Sequence, residues 1–177
     1  MMMIDKATCI VFSDDGFPPK GSNHTCPLYI TVCCSGHRVP SVLLDNGSTL
    51  NVCLLATTIA LGYAPSDFGP STQTIRAYDS TKRDVMGTLM IELLIGPTIF
   101  PALFQVLRIP MSFNLLLGRP WIHRAGVILS SLHQKVKFIH DRQVITVQSP
   151  REIFTSSELV LQISHSEDDI FFYWVYV

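Results

Sequence analysis

The rhythm of apolar and polar positions changes several times along this chain, and each change predicts an element. Leu28 to Cys34 is rich in apolar and β-branched residues, Ser35-Gly36-His37-Arg38 interrupts it, and Val39 to Leu44 resumes it. That is the pattern of a hairpin. Thr49 to Cys53 predicts a further strand. Leu54, Leu55, Ile59 and Leu61, spaced by Ala and Thr, predict a short helix closed by Gly62. Pro65, Gly69 and Pro70 make Tyr63 to Ser71 a loop. Residues 72–95 read as one hairpin: alternating Thr72 to Tyr78, a polar tip at Asp79-Ser80-Thr81-Lys82-Arg83, and a long apolar return from Val85 to Ile95. Such a hairpin has the shape of a flap over a cleft. Gly96-Pro97 breaks the pattern before a strand at Ile99 to Leu107. An apolar run then ends Phe113-Asn114-Leu115-Leu116-Leu117-Gly118, and Pro120 opens a helix that Gly126 ends. Val127 to Leu129, Lys135 to Ile139 and Val144 to Val147 complete the set, with His140-Asp141-Arg142-Gln143 as the last turn. The sum is about nine or ten strands and two short helices, an all-β domain.

The ends of the chain are patterned more weakly. Residues 1–26 contain Asp14-Asp15-Gly16 followed by Phe17-Pro18-Pro19, a turn and an extended connector whose prolines lack the donors of a central strand. They are expected to be poorly ordered. Residues 148–177 pass through Glu167-Asp168-Asp169 to an aromatic end, Phe171-Phe172-Tyr173-Trp174, and are expected to form a partly disordered tail. The folded domain is therefore placed at 27–147, within a chain of 177 residues that suits one core.

Composition narrows the function classes. Hydrophobic residues make up 47% and charged residues 15%, a globular balance. Net charge is -1 and the longest basic run is Lys82-Arg83, so no nucleic-acid partner is expected for this domain. No apolar run reaches the roughly 18–20 residues that span a bilayer, and no membrane role is expected. Met1 to Lys6 lacks the apolar core of a signal peptide. The cysteines, at 9, 26, 33, 34 and 53, are odd in number and form no C-x-x-C pair. These features predict an intracellular, cytoplasmic protein that is not secreted, with reduced thiols. His24, Cys26, Cys33, Cys34 and His37 match no zinc spacing, so neither a metal nor a cofactor is expected.

The stretch Val42-Leu43-Leu44-Asp45-Asn46-Gly47-Ser48-Thr49-Leu50-Asn51-Val52 carries the candidate chemistry. An apolar strand delivers one carboxylate to a tight loop, and a second apolar run follows. With the preceding hairpin, the 72–95 hairpin and Leu116-Leu117-Gly118 before a helix, the order of parts resembles the retropepsin-like protease domain of gypsy-type long-terminal-repeat retrotransposon polyproteins, such as those of plant genomes. The likeness covers about residues 24–147. It implies a retropepsin-like acid protease fold and an aspartic endopeptidase that hydrolyses peptide bonds of its own polyprotein. It also implies Asp45 as the catalytic residue in an active-site loop with Asn46, Gly47 and Ser48. Tyr78, Asp79, Ser80 and Thr81 would contact substrate from the flap, and Leu116, Leu117, Gly118 and Arg119 would support the site. Because the chain carries one such loop where a two-lobed pepsin needs two, the resemblance implies a homodimer with an Asp dyad across its axis. Ser48 is expected to hydrogen-bond the carboxylate.

Asn46 departs from the family pattern, which has Thr or Ser there. The alternative reading is an inactive retropepsin-fold remnant that serves as a dimerisation or peptide-binding module. A β-barrel unrelated to proteases is a third. Among the remaining candidates, Trp121 and Phe113 are expected in the core. Asp79, Asp84 and Asp141 are expected in solvent, and His24, His37, His123 and His133 on the surface, since none sits in a nucleophile motif.

Overall fold

The computed structural model describes residue 10 and residues 27–71, 74–76, 82–109, 111–150, 161–162 and 174–176. The first strand, β1 (Leu28–Cys34), pairs antiparallel with β2 (His37–Leu44). The turn between them is only Ser35-Gly36, with φ of 50° and 74°. Expecting four turn residues missed the type I′ geometry, whose twist matches the strands and lets pairing start at His37. The register slips between Ile30 and Val32, opposite Pro40 and Ser41, and Ser41 takes a φ of 55°. This bulge is where a proline can sit inside β2 without breaking a ladder.

Next come β3 (Val52–Leu54), α1 (Leu55–Ala60) and a short 3-10 turn at Pro65–Asp67. Two short strands, β4 (Thr74–Arg76) and β5 (Lys82–Asp84), pair with each other in a two-stranded sheet. The long strands β6 (Gly87–Ile95) and β7 (Thr98–Leu107) pair with one another over their whole length. The expectation of a 72–95 hairpin is thus corrected. The flap-like hairpin pairs β4 with β5 and closes at Gly69 and Thr88, which exchange backbone hydrogen bonds of 2.8 and 3.0 Å, so only the first residues of β6 belong to its return arm and the rest of β6 belongs to the barrel. Strict alternation explains why. Leu89, Ile91, Leu93 and Ile95 point into the core, which an arm projecting over a cleft would leave unburied.

The remaining elements are β8 (Leu115–Leu117), α2 (Arg119–Ala125), β9 (Ile128–Ser130), β10 (Lys135–His140), β11 (Gln143–Gln148), β12 (Leu161–Gln162) and β13 (Trp174–Tyr176). Pro120 lies in the first turn of α2, where its missing N–H costs little. Gly126 ends the helix in the left-handed conformation, φ 64° and ψ 31°, donating to the carbonyls of Ile122 and His123.

The strands run β1-β6-β7-β3-β8-β2, and the β1–β2 pair closes them into a six-stranded barrel. A second sheet, β13-β11-β10-β9, packs its Val136, Phe138, Ile145 and Val147 into the same core. Phe100 of β7 meets Trp121 of α2 and Phe138 of β10 edge-on, at 5.6 and 5.4 Å between ring centres. Trp121 and Phe113 are buried as expected. The strands described past residue 150 extend the sheets, β12 beside β2 and β13 beside β11. Among the described residues no helix is long and apolar enough to cross a membrane.

Candidate active site

β2 and β3 are joined directly by residues 45–51, yet they are not neighbours. β8 lies between them, parallel to β2 (Leu44 opposite Leu117) and antiparallel to β3 (Val52 opposite Leu116). The chain therefore leaves β2, crosses the end of β8 and returns on its far side. Asp45 is the first residue of that crossing. Its N–H donates to Leu117 O at 3.0 Å, which ties the start of the loop to the end of β8.

The loop then turns tightly. Gly47 N–H donates to Asp45 Oδ1 at 2.8 Å, and Ser48 N–H donates to Asp45 O at 3.3 Å. The half-buried carboxylate is thus aimed by its own loop backbone. A Cβ on Gly47 would stand 3.1 Å from that same oxygen, so a side chain there would push the carboxylate aside by a few tenths of an ångström. Asn46 is exposed, and its side chain makes no hydrogen bond among the described residues. The expected Ser48-to-carboxylate bond is absent. The Ser48 hydroxyl turns back on its own loop, donating to Leu50 O at 2.9 Å and accepting from Leu50 N–H at 3.4 Å. A serine two residues before a free backbone N–H finds that partner locally, without reaching across the turn.

Leu116-Leu117-Gly118-Arg119 comes against this loop. Leu117 is fully buried, while half-buried Leu116 packs with Val52, Leu54, Leu107 and Phe113 in a small cluster of its own. A Cβ on Gly118 would lie 2.4 Å from Leu50 O and 2.8 Å from Ser48 O, so only glycine lets the two segments touch. Arg119 is exposed. Its N–H donates to Ser48 O at 2.9 Å.

Two asparagines that sequence reasoning passed over hold this arrangement. Asn51, 3% exposed, accepts from Gly118 N–H at Oδ1 (2.9 Å) and donates from Nδ2 to Leu103 O (3.2 Å). Asn114 donates from Nδ2 to Pro40 O at 2.7 Å, and its N–H donates to Ser41 O at 3.0 Å, pinning the β2 bulge. Asn114 O in turn accepts from the Thr57 hydroxyl at 2.9 Å. The available signal was a lone amide next to an apolar strand, which must find partners once buried.

The other candidates lie apart. Tyr78, Asp79, Ser80 and Thr81 fall outside the described residues, as do His24, Cys9 and Cys26. His123 is exposed and His37 half-buried. His133 is buried, against expectation, because Ser130 caps its turn: the Ser130 hydroxyl meets His133 Nδ1 at 2.7 Å and accepts His133 N–H at 3.2 Å. Asp141 is exposed, 3.4 Å from His140. Burial raises the Cys33 thiol and pushes Cys34 up to about 12; Cys53 is raised further, also by burial. Among the described residues no His, Cys, Asp and Glu side chains gather into a metal-holding group. An open groove of about 470 Å³ lies between Ser35, Tyr63, Met90, Glu92, Leu94 and Ile99, and none of the 45–51 loop lines it.

No protein-family model matches this chain, and no curated protein does. Solved structures do resemble it. The retroviral protease-like domain of Ddi1 from Leishmania major superposes with a TM-score of 0.50 at 15% identity, over 64% of this chain and 88% of that one. The EIAV protease complexed with the inhibitor HBY-793 gives 0.49 at 19%, over 61% and 96%. A retropepsin-like aspartic protease from Rickettsia conorii gives 0.46 at 17%, over 63% and 82%. With its closed barrel and β8 threaded between β2 and β3, this chain has the retropepsin-like fold.

Proposed function

We propose that this chain is an aspartic endopeptidase that works as a homodimer, with Asp45 of each subunit meeting on the twofold axis. The observation that carries the reading is the Asp45 crossing: a half-buried carboxylate, backbone-anchored to β8 and aimed by Gly47 N–H. Two carboxylates about 3 Å apart share one proton, because both cannot ionise easily at that range. The ionised member takes a proton from water as the water attacks the peptide carbon, and the protonated member polarises the carbonyl oxygen. The loop at 45–51 supplies one carboxylate, so the second comes from a second copy. Gly47 and Gly118 keep the loop compact enough for two copies to approach, and residues 78–81 would cover an extended polypeptide. The substrate is the chain's own polyprotein, of the gypsy retrotransposon type found in plants, and the enzyme acts in the cytoplasm.

The test is cleavage of flanking polyprotein peptides by the purified chain, with and without pepstatin. Pepstatin-sensitive cleavage that is lost in Asp45→Ala supports the reading; cleavage unchanged in Asp45→Ala removes Asp45 from the mechanism.

Asn46 supports a second reading. It is exposed and its amide makes no hydrogen bond among the described residues, where the family carries a hydroxyl that grips the same residue across the dimer axis. Asn places its polar atoms one bond further from the backbone than Ser or Thr, and such sites tolerate displacements of only about 0.5 Å. On this reading the chain is an inactive remnant that dimerises or holds a peptide by strand addition. Gain of cleavage in Asn46→Thr, from a parent that has none, selects it.

A further inference from the structure

We infer that Asn51 is a positioning residue for Asp45, acting through the single peptide unit between Leu117 and Gly118. This rests on the reading of Asp45 as the reacting carboxylate. That peptide unit is rigid and planar, so its C=O and N–H point in opposite directions and turn together. Its oxygen accepts Asp45 N–H at 3.0 Å. Its N–H donates to Asn51 Oδ1 at 2.9 Å, where both partners are buried. The side chain of Asn51 and the backbone of Asp45 thus hold the two ends of one plate. Bonds linked through an amide polarise each other in the same sense, so weakening one weakens the other.

Asn51 is itself held from behind. Its Nδ2 donates to Leu103 O at 3.2 Å, and its own C=O accepts Gln105 N–H at 2.9 Å. Gly118 N–H can only donate and Leu103 O can only accept, which fixes which way the Asn51 amide faces. The result is a continuous line from β7 through Asn51 and the end of β8 to the residue carrying the carboxylate. Serine and threonine have one hydroxyl and are shorter, so they cannot reach both partners. Aspartate can make both bonds only when protonated, its carbonyl oxygen accepting from Gly118 and its O–H donating to Leu103 O. Ionised, it sets a negative oxygen against the Leu103 carbonyl.

That difference gives the experiment. Amide hydrogen exchange is followed by NMR at Asp45 and Gly118 in the wild type and in Asn51→Asp, from acid to neutral pH, with Ile91 as a reference deep in the barrel. Peptide cleavage is measured over the same range. The variant-to-wild-type ratio at each pH cancels whatever the two proteins have in common and so isolates position 51. The expected result is wild-type protection in acid. As the introduced carboxyl ionises, exchange at Asp45 and Gly118 rises about tenfold or more while Ile91 is unchanged, as loss of a buried partner requires. Over the same pH step kcat falls about tenfold and KM stays within about twofold, since substrate contacts are untouched. Exchange at Asp45 that stays at the wild-type level through the ionisation overturns the inference. So does a loss of protection that is equal at Ile91, which would make Asn51 a general stability residue. Asn51→Leu, which removes both bonds at similar volume, is expected to show the raised Asp45 exchange at every pH. If the wild type cleaves nothing, the proposed function fails, and the exchange data still decide the link between Asn51 and Asp45.

Discussion

Two aspartates in this chain occupy the same local pattern and end in different places. Asp45 and Asp141 each follow an apolar strand, sit in a tight turn and precede a second apolar strand. Asp141 lies in the two-residue β10–β11 hairpin, its side chain 88% exposed, with His140 at 3.4 Å. Exposed pairs of this kind contribute about 0–1 kcal/mol. Asp45 joins strands that do not pair, and β8 fills the gap, so three successive residues grip the loop. Leu117 accepts from Asp45, Gly118 donates to Asn51, and Arg119 donates to Ser48. An aspartate on a turn becomes a candidate acid only when a third strand holds it still.

The sharpest break in this comparison is cleavage itself. Asp45→Asn is expected to lower kcat by about a thousandfold or more, the scale lost with an essential acid–base group. Asp141→Asn, equally conservative, is expected to leave peptide cleavage within about twofold.

The next contrast is in stability. Gly118→Ala drives a methyl into Leu50 O and Ser48 O, and urea denaturation is expected to show a loss of about 2–4 kcal/mol. In the hairpin, Arg142 holds a φ of 63°. Arg142→Gly relieves that strain and is expected to gain about 0.5–1 kcal/mol in the same measurement, completing an Asp-Gly type I′ turn.

Burial separates the regions once more through the thiols. Cys53 lies in β3, just past the crossing, and Cys34 in β1; both stay protonated in the native barrel. Iodoacetamide at pH 8 is expected to leave both unmodified until denaturant is added, as mass spectrometry of tryptic peptides would report. The linked pH effect follows in sign. The folded Cys34 pKa, about 12, exceeds its ordinary value of 9.0, so the unfolded chain releases that proton first. The contribution is full below pH 9.0 and is lost as pH rises toward about 12, so the urea midpoint is expected to fall across that window. The smallest effect belongs to the hairpin: Asp141→Asn, which removes the charge but keeps a residue suited to the φ of 49° there, is expected to move stability by less than about 0.5 kcal/mol.

Much of this was readable along the chain because alternation and turn chemistry are local. The β1–β2 and β10–β11 hairpins, the β7 strand, Pro120 and Gly126 around α2, and the buried Trp121 all follow from residue type and spacing. The loop at 45–47 and Leu116-Leu117-Gly118 stand out for the same reason. The return arm assigned to Val85–Ile95 runs too far, past Thr88, because period-2 patterning says which face is buried and is silent about the partner strand. His133 was placed outside because its cap, the Ser130 hydroxyl, is a turn contact that composition does not show.

The sequence by itself determined where the strands lie, which faces they bury and which loop carries the carboxylate, since these depend on neighbours a few residues away. Only the tertiary structure decided that β8 slides between β2 and β3, that β6 beyond Thr88 leaves the flap-like hairpin for β7, and that Asn51 reaches the peptide beside Asp45. Those contacts join residues as far apart as 51 and 118. Closure of the barrel selects them, because each strand must pair on both edges and each buried amide must find a donor and an acceptor at once.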